Sequence, residues 1–582
     1  MTPDLFPRFW QWARPYKRSF ARGLVWLIAT NGLALGIPWL LRGAVHDLTG
    51  GTSARRLALW ASGMIALALA QAWVRTVSRL AILGASRKIA FDVREAFFAK
   101  LISLDAAYYD HHRTGDLMSR GVNDLQLIQS FFGPGLLNAL NTAIVYVGVL
   151  CLMLKLDAVL TVVALALFPL LYWSVNRLSK KVYARSLAVQ EQLAAISDRT
   201  QENLSGIQQV KIYAQEDQEI ARFRVLSDAF RRKQLSLAKV RGAMVSLIGV
   251  FSGLGTVLVL FVGGLHVIHG RITLGDFVAF NAYLAQLAWP TVALGWIVNV
   301  FQRASGAMRR LDEVMTATPA VPAPRSQGRE VTPIGGDLAV RELTYAHEGS
   351  GGRPALRDVS LDIPAGSRVA IVGPVGSGKS TLAHLLAKIY PPPPATLFAG
   401  GEDLAEVDVE RVRAGIGFVP QEAFLFSRSL RDNVAFGRPD ATEAEILDAV
   451  RAARLDTDLP ALPDGIATLV GERGFTLSGG QRQRATLARA LLTRAPYLVL
   501  DDALSSVDAD TEREILNALA KDRGSRTLIL ITHRLSTLRA VDRIVVLEHG
   551  RVVEDGTHDT LLAQRGVYAR LFDRARMEER LA

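Results

Sequence analysis

The run Gly-Pro-Val-Gly-Ser-Gly-Lys-Ser-Thr at 373–381 has the residue types and spacing of a phosphate cradle. Gly373, Gly376 and Gly378 permit a tight turn that points several backbone N–H groups at one anion. Ser377 and Thr381, in the same run, are further candidate contacts to the nucleotide. A helix opening near Ser380 adds the positive end of its dipole. Lys379 reaches the outer phosphates of a nucleotide, and the Ser380 hydroxyl is a ligand for Mg²⁺. A second group lies downstream. Leu498-Val-Leu-Asp501 is an apolar run that ends in a carboxylate, and ligands of parallel α/β sheets sit beyond the carboxyl ends of the strands. Asp501 is therefore expected to hold Mg²⁺ through water, because this ion prefers oxygen ligands and keeps part of its hydration shell.

These groups need a scaffold. The apolar run Arg-Val-Ala-Ile-Val at 368–372 reads as a buried parallel strand. Strand, Gly-rich turn and helix are the context that the phosphate cradle requires. The chain has 582 residues, more than one ordinary domain. Half of its residues are hydrophobic, its mean hydropathy is +0.21, and the apolar residues concentrate in the first half. Apolar stretches long enough to span a bilayer, about 20 residues, occur around 20–46, 57–84, 127–154, 157–178, 243–269 and 274–300. The links alternate in character. Short ones near Asp47–Arg56, Lys155–Asp157 and His269–Thr273 carry few basic residues, whereas long ones at 85–126 and 179–242 are rich in Lys and Arg. This asymmetry puts both termini in the cytoplasm. It also accounts for the net charge of +12 without nucleic acid, since basic segments suit the inner leaflet. The long inner links keep a helical period without breakers, so the membrane helices are expected to extend well below the bilayer. Aromatic and basic residues alternate in the N-terminal 5–18, as in a short helix lying in the interface. No cleavable signal peptide is evident. Cys151 is the single cysteine, which rules out an intrachain disulfide and reads as a small hydrophobe.

About a hundred residues after the phosphate cradle stands Leu-Ser-Gly-Gly-Gln at 477–481. With this string, the chain resembles a half-transporter of the ABC exporter family over essentially its whole length. The resemblance implies a multidomain protein: an all-α transmembrane domain of six helices at 1–317, a Pro-rich linker at 318–336, and an α/β P-loop ATPase domain at 337–582. It implies that ATP and Mg²⁺ bind, and that Ser478, Gly479, Gly480 and Gln481 close over ATP held by a second half-transporter. It further implies that Tyr345 stacks on adenine and that Gln421 contacts Mg²⁺ or water. Asp508 would belong to a loop that speaks across the dimer, and His533 would sit near the γ-phosphate. The segments around 107–120 and 206–216 match the family's coupling helices, and Thr468–Gly474 matches an exporter-type stretch that contacts them. Such a protein sits in the cell's cytoplasmic (inner) membrane as a multi-pass chain with its ATPase domain in the cytoplasm, and exports hydrophobic or amphipathic substrates.

One position departs from the pattern. The family's active sites carry a glutamate after the Mg²⁺ aspartate, and this chain has Asp502. The shorter side chain withdraws the carboxylate by roughly 1.5 Å, one C–C bond. A general base must reach its proton, so the ATP on this chain's own loop is expected to turn over slowly. The intact signature and altered base resemble the aspartate-bearing halves of bacterial asymmetric multidrug-type exporters, and a heterodimer is the expected assembly. The alternatives are a homodimeric exporter or lipid flippase with two slow sites, and an ATP-gated channel or regulatory subunit. A soluble ABC ATPase acting on nucleic acid is opposed by the membrane spans.

Overall fold

The structure, a computed structural model, describes residues 6–322, 331–471, 474, 476–521, 526–532 and 534–581. These form two bodies: residues up to 96 together with 119–312, and residues 97–118 together with 313 onward.

The first body is helical. Six helices, Pro7–Thr49, Ala54–Ser103, Thr114–Leu156, Ala158–Ser205, Glu216–Ile268 and Leu274–Thr316, are long and apolar enough to cross a membrane. Each covers one of the spans expected from hydropathy, apart from the end residues Asp157 and His269 of two of them, and runs beyond it. At 1.5 Å per residue the Ala54–Ser103 helix is about 75 Å long, more than twice the hydrocarbon core of a bilayer. The first of the six helices opens with a short helical segment, Phe6–Ala13. It buries Phe9 against Phe131 and Phe132, with ring centroids 4.3 and 5.7 Å away. The third span contains two π-helical turns, Arg120–Asp124 and Phe131–Gly135, and the second absorbs Pro134, which has no N–H to give to the helix ladder.

Polar residues inside the spans tie helices together. Asn31 Nδ2 donates to Asn141 Oδ1 at 3.1 Å, Gln286 Nε2 to the Ala34 carbonyl at 3.4 Å, and Tyr283 Oη to the Leu35 carbonyl at 2.8 Å. Arg42 pairs with the buried Asp276. Between apolar helices in lipid, such bonds and close packing hold what a hydrophobic driving force does not. Nearer the cytoplasmic end, Arg310 grips Asp124 with two bonds of 2.8 and 2.6 Å.

The second body is built on two sheets. One is antiparallel, in the order β2-β1-β4-β5, from β1 (Leu338–Tyr345), β2 (Leu356–Ile363), β4 (Leu397–Ala399) and β5 (Glu402–Asp403). The other has the order β10-β9-β3-β8-β7-β6. It is made from β3 (Arg368–Val372), β6 (Ile416–Val419), β7 (Tyr497–Asp501), β8 (Thr527–Ile531), β9 (Arg543–Glu548) and β10 (Arg551–Gly556). All its pairings are parallel except β9 with the hairpin strand β10. β7 and β8 are buried at every residue, as strands covered on both faces must be. Two large apolar cores result, beside a smaller one in which Val372, Ile544, Val546, Tyr568 and Phe572 meet. One joins both sheets through Leu343, Leu361, Ile371, Leu385, Tyr497 and Val545. The other fills a helical lobe around Leu430, Ile446, Leu487 and Leu491. Residues 97–118 pack with this body: Tyr390 Oη donates to Asp110 Oδ2 at 2.8 Å, and the Val321 N–H donates to Asp105 Oδ2 at 3.1 Å.

Candidate functional site

The parallel sheet brings the phosphate loop, Gln421 and Asp501 to one edge. β3, β6, β7 and β8 run in the same direction, so the residues after their last positions share the carboxyl edge. The phosphate loop follows β3, Gln421 lies two residues beyond β6, Asp501 ends β7, and position 533 lies two residues beyond β8. His533 itself is outside the described residues, as are Glu472 and Arg473 of the 468–474 stretch.

The loop has the conformation its glycines allow. Gly378 caps the helix Lys379–Leu386 at φ 98°, and a Cβ there would meet the Ala355 carbonyl at 2.6 Å. Lys379 Nζ folds over the loop and donates to the carbonyls of Gly373 and Pro374, both at 2.8 Å. Burial pushes its ammonium below the ordinary lysine range, and the nearby Asp501 and Asp502 charges oppose that shift. Ser380 hydrogen-bonds the Asp501 carboxylate, which burial nonetheless raises above the usual range. A hydroxyl and a carboxylate in contact at the rim of the loop are hard oxygen donors of the kind Mg²⁺ takes beside nucleotide phosphates, so the residues fit that ion.

Asp502 takes the left-handed conformation, φ 47°, and its N–H donates to the Ile531 carbonyl at 2.8 Å. Aspartate tolerates that region better than most residues. A small cavity behind it is lined by Leu500, Ser505, Ile531, Thr532 and Arg534. Asp508 is exposed and caps the helix Ala509–Lys521, accepting from the Thr511 N–H at 2.9 Å. That bond holds its carboxyl below the usual range.

Tyr345 ends β1 and meets His347, with centroids 5.2 Å apart. His347 Nε2 is 3.1 Å from Thr381 Oγ1 and its ring lies 5.0 Å from Tyr390. An aromatic cluster thus links the end of β1, the phosphate loop and, through Tyr390, the helix Ala106–His111. His347 and Tyr390 escaped the sequence reading. No spacing rule marks them, because their partners lie 34 and 280 residues away.

Ser478 caps the signature helix, Gly479–Leu492, in a capping box. Its hydroxyl accepts from the Gln481 N–H at 3.2 Å, and its own N–H donates to Gln481 Oε1 at 2.9 Å. Gln481 Nε2 also reaches Asp458, at 3.3 Å. A Cβ on Gly480 would stand 2.9 Å from the Ser506 carbonyl, so this glycine is needed for the close approach of helix and loop. The exposed face of this helix N-terminus can receive an anion.

A P-loop ATPase with its own signature helix, behind six membrane helices, defines an ATP-driven membrane transporter. The chain belongs to the ABC transporter family: residues 21–291 match the ABC transporter transmembrane region and residues 356–505 the ABC transporter family. It is 30% identical to a probable multidrug resistance ABC transporter ATP-binding/permease protein, YheI, of Bacillus subtilis, over 97% of this chain and 96% of that one. It is 32% identical to the multidrug resistance-like ATP-binding protein MdlA of Escherichia coli, over 98% and 96%. An ATP-dependent lipid A-core flippase of Methylococcus capsulatus is 33% identical over 98% and 94%. The structure of a bacterial Atm1-family ABC exporter with ATP bound superposes with a TM-score of 0.78 at 26% identity, covering 96% of this chain and 98% of that one. The chain is an ATP-hydrolysing, multi-pass ABC exporter with its ATPase domain in the cytoplasm.

Proposed function

We propose that two copies of this chain form an exporter of lipid-like amphiphiles. The observation that carries this reading is that one chain holds both halves of an ATP site: a phosphate loop with Lys379, Ser380 and Asp501, and an intact signature at Ser478–Gln481. Two copies facing each other complete two sites with no further subunit. The flippase relative supports the substrate class. In each site Tyr345 stacks on adenine, and the loop from Gly373 to Thr381 holds the phosphates. Ser380 and Asp501, with Gln421, hold Mg²⁺, which when bound neutralises phosphate charge. Asp502 orients the attacking water, with His533 beside the γ-phosphate. Ser478 and Gly480 donate to the γ-phosphate of the opposite copy. ATP binds the closed pair better than the open one and so shifts the membrane helices from inward-facing to outward-facing.

A second reading has its own observation. Asp502 is one methylene short of the family's glutamate, and a misplacement of about 1 Å can cost on the order of a hundredfold in rate. That favours a different half-transporter as partner, one that supplies a glutamate while this chain supplies its signature. The chain purified alone and reconstituted in liposomes decides between them. Lipid-stimulated ATPase and a dimeric mass support two copies. A monomer without ATPase overturns that reading, and Asp502→Asn in the isolated native complex then tests the other. Slight loss there, with complete loss from the equivalent change at the partner's glutamate, supports the unequal pair.

A further inference from the structure

Asp502 and Asp508 sit at the two ends of a loop that two other side chains grip. Gln483, on the signature helix and only 5% exposed, bonds the loop twice. Its Nε2 donates to Ser505 Oγ at 2.9 Å, and its Oε1 accepts from the Ser506 N–H at 2.8 Å. Arg534 grips from the other side, donating to the carbonyls of Ser505 at 2.6 Å and Val507 at 2.7 Å. The guanidinium is itself fixed by Glu512, 1% exposed, at 2.6 Å, and Glu512 also accepts from the Thr537 hydroxyl. The loop returns to the backbone of Asp502, because the Ser505 N–H donates to the Asp502 carbonyl at 3.3 Å.

We infer that Gln483 and Arg534 are positioning residues for hydrolysis, which clamp the 505–508 loop between the signature helix and the segment after β8. Neither belongs to the phosphate loop or to the Leu-Ser-Gly-Gly-Gln string. Their effect passes through the loop to Asp502 on the same chain and to Asp508 at the exposed end. The bonds run from 2.6 to 2.9 Å and are partly buried, and an amide and a guanidinium present two donors or acceptors in fixed geometry, which suits them to hold a loop in one shape. Because Gln483 grows from the helix whose N-terminus receives the opposite ATP, closure of the signature on that nucleotide displaces the loop of the chain that carries it. The two ATP sites of a dimer are thereby joined through four hydrogen bonds inside one chain.

This inference rests on the ATPase reading of the site. The test uses the full-length transporter in liposomes, with Gln483→Leu, Arg534→Lys and the double variant. Leucine keeps the buried volume and removes both bonds. Lysine keeps the charge beside Glu512 and cannot span both carbonyls. Each single change should lower kcat by about ten- to a hundredfold, the scale of a displaced catalytic group. KM for ATP and the thermal midpoint should stay near wild type. The double variant should fall no further than the worse single one, since both act through one loop. An unchanged kcat, losses that multiply in the double variant, or a KM and thermal midpoint that fall along with kcat would each overturn the clamp. Absence of hydrolysis in the wild type would instead defeat the ATPase reading itself.

Discussion

At the scale of single residues, Asp502 is where sequence and backbone meet. Its left-handed φ of 47° suits aspartate, and a longer side chain there carries more backbone cost. Its carboxylate is also short for a base. The two facts oppose each other under Asp502→Glu. Lengthening the side chain should raise ATP turnover by roughly ten- to a hundredfold by restoring reach, and should lower stability by about 1–2 kcal/mol through the left-handed backbone. Turnover at saturating ATP and the thermal midpoint of one preparation check both halves. Equal or lower turnover would mean that reach does not limit this site. The altered position was legible in the sequence because it is one step from Asp501 in a known order. Its backbone conformation was not, because φ is set by the turn that brings the Asp502 N–H to the Ile531 carbonyl.

At the scale of elements, two helix ends govern how the ATPase body is read. The signature helix begins at an exposed N-terminus with Ser478 as its cap. Ser478→Arg puts a bulky cation where a γ-phosphate would dock. It should remove most hydrolysis while ATP still binds the chain's own phosphate loop, as nucleotide-binding titration beside an ATPase assay can show. The cap itself is worth about 1 kcal/mol, so a small loss of stability accompanies the change. The second end is the helix Ala106–His111, whose Asp110 accepts from Tyr390. Burial and this bond push the Tyr390 phenol up to about 12. A group whose folded pKa is raised gives stability that is complete below its ordinary value near 10 and is lost as pH climbs through about 12. Tyr390→Phe should therefore cost about 0.5–1 kcal/mol at pH 8 and flatten part of the decline between pH 10 and 12. Denaturation at both ends of that range, wild type against variant, is the measurement.

At the scale of the whole molecule, the question is how ATP moves membrane helices. The segment Ile207–Ile212 and the strongly exposed Tyr213 after it form a lever candidate between the fourth and fifth spans. Tyr213→Ala should leave ATP binding and hydrolysis nearly unchanged and lower the substrate moved per ATP, measured on the same liposomes. An unchanged ratio would remove this segment from the coupling path. The sequence by itself determined the parts whose signals are local. Glycine spacing marked the phosphate loop, because a tight anion-binding turn needs those residues in that order. Hydropathy and Lys/Arg asymmetry marked six spans and their orientation, because a bilayer filters residues by length and charge alone. The tertiary structure decided what required distant residues to meet. His347 reaches Thr381, Asp110 meets Tyr390 across 280 positions, and Gln483 and Arg534 close on one loop from separate elements. These contacts follow from strand order and helix packing, and a side chain carries no mark of the partner that a crossover in the sheet will bring to it.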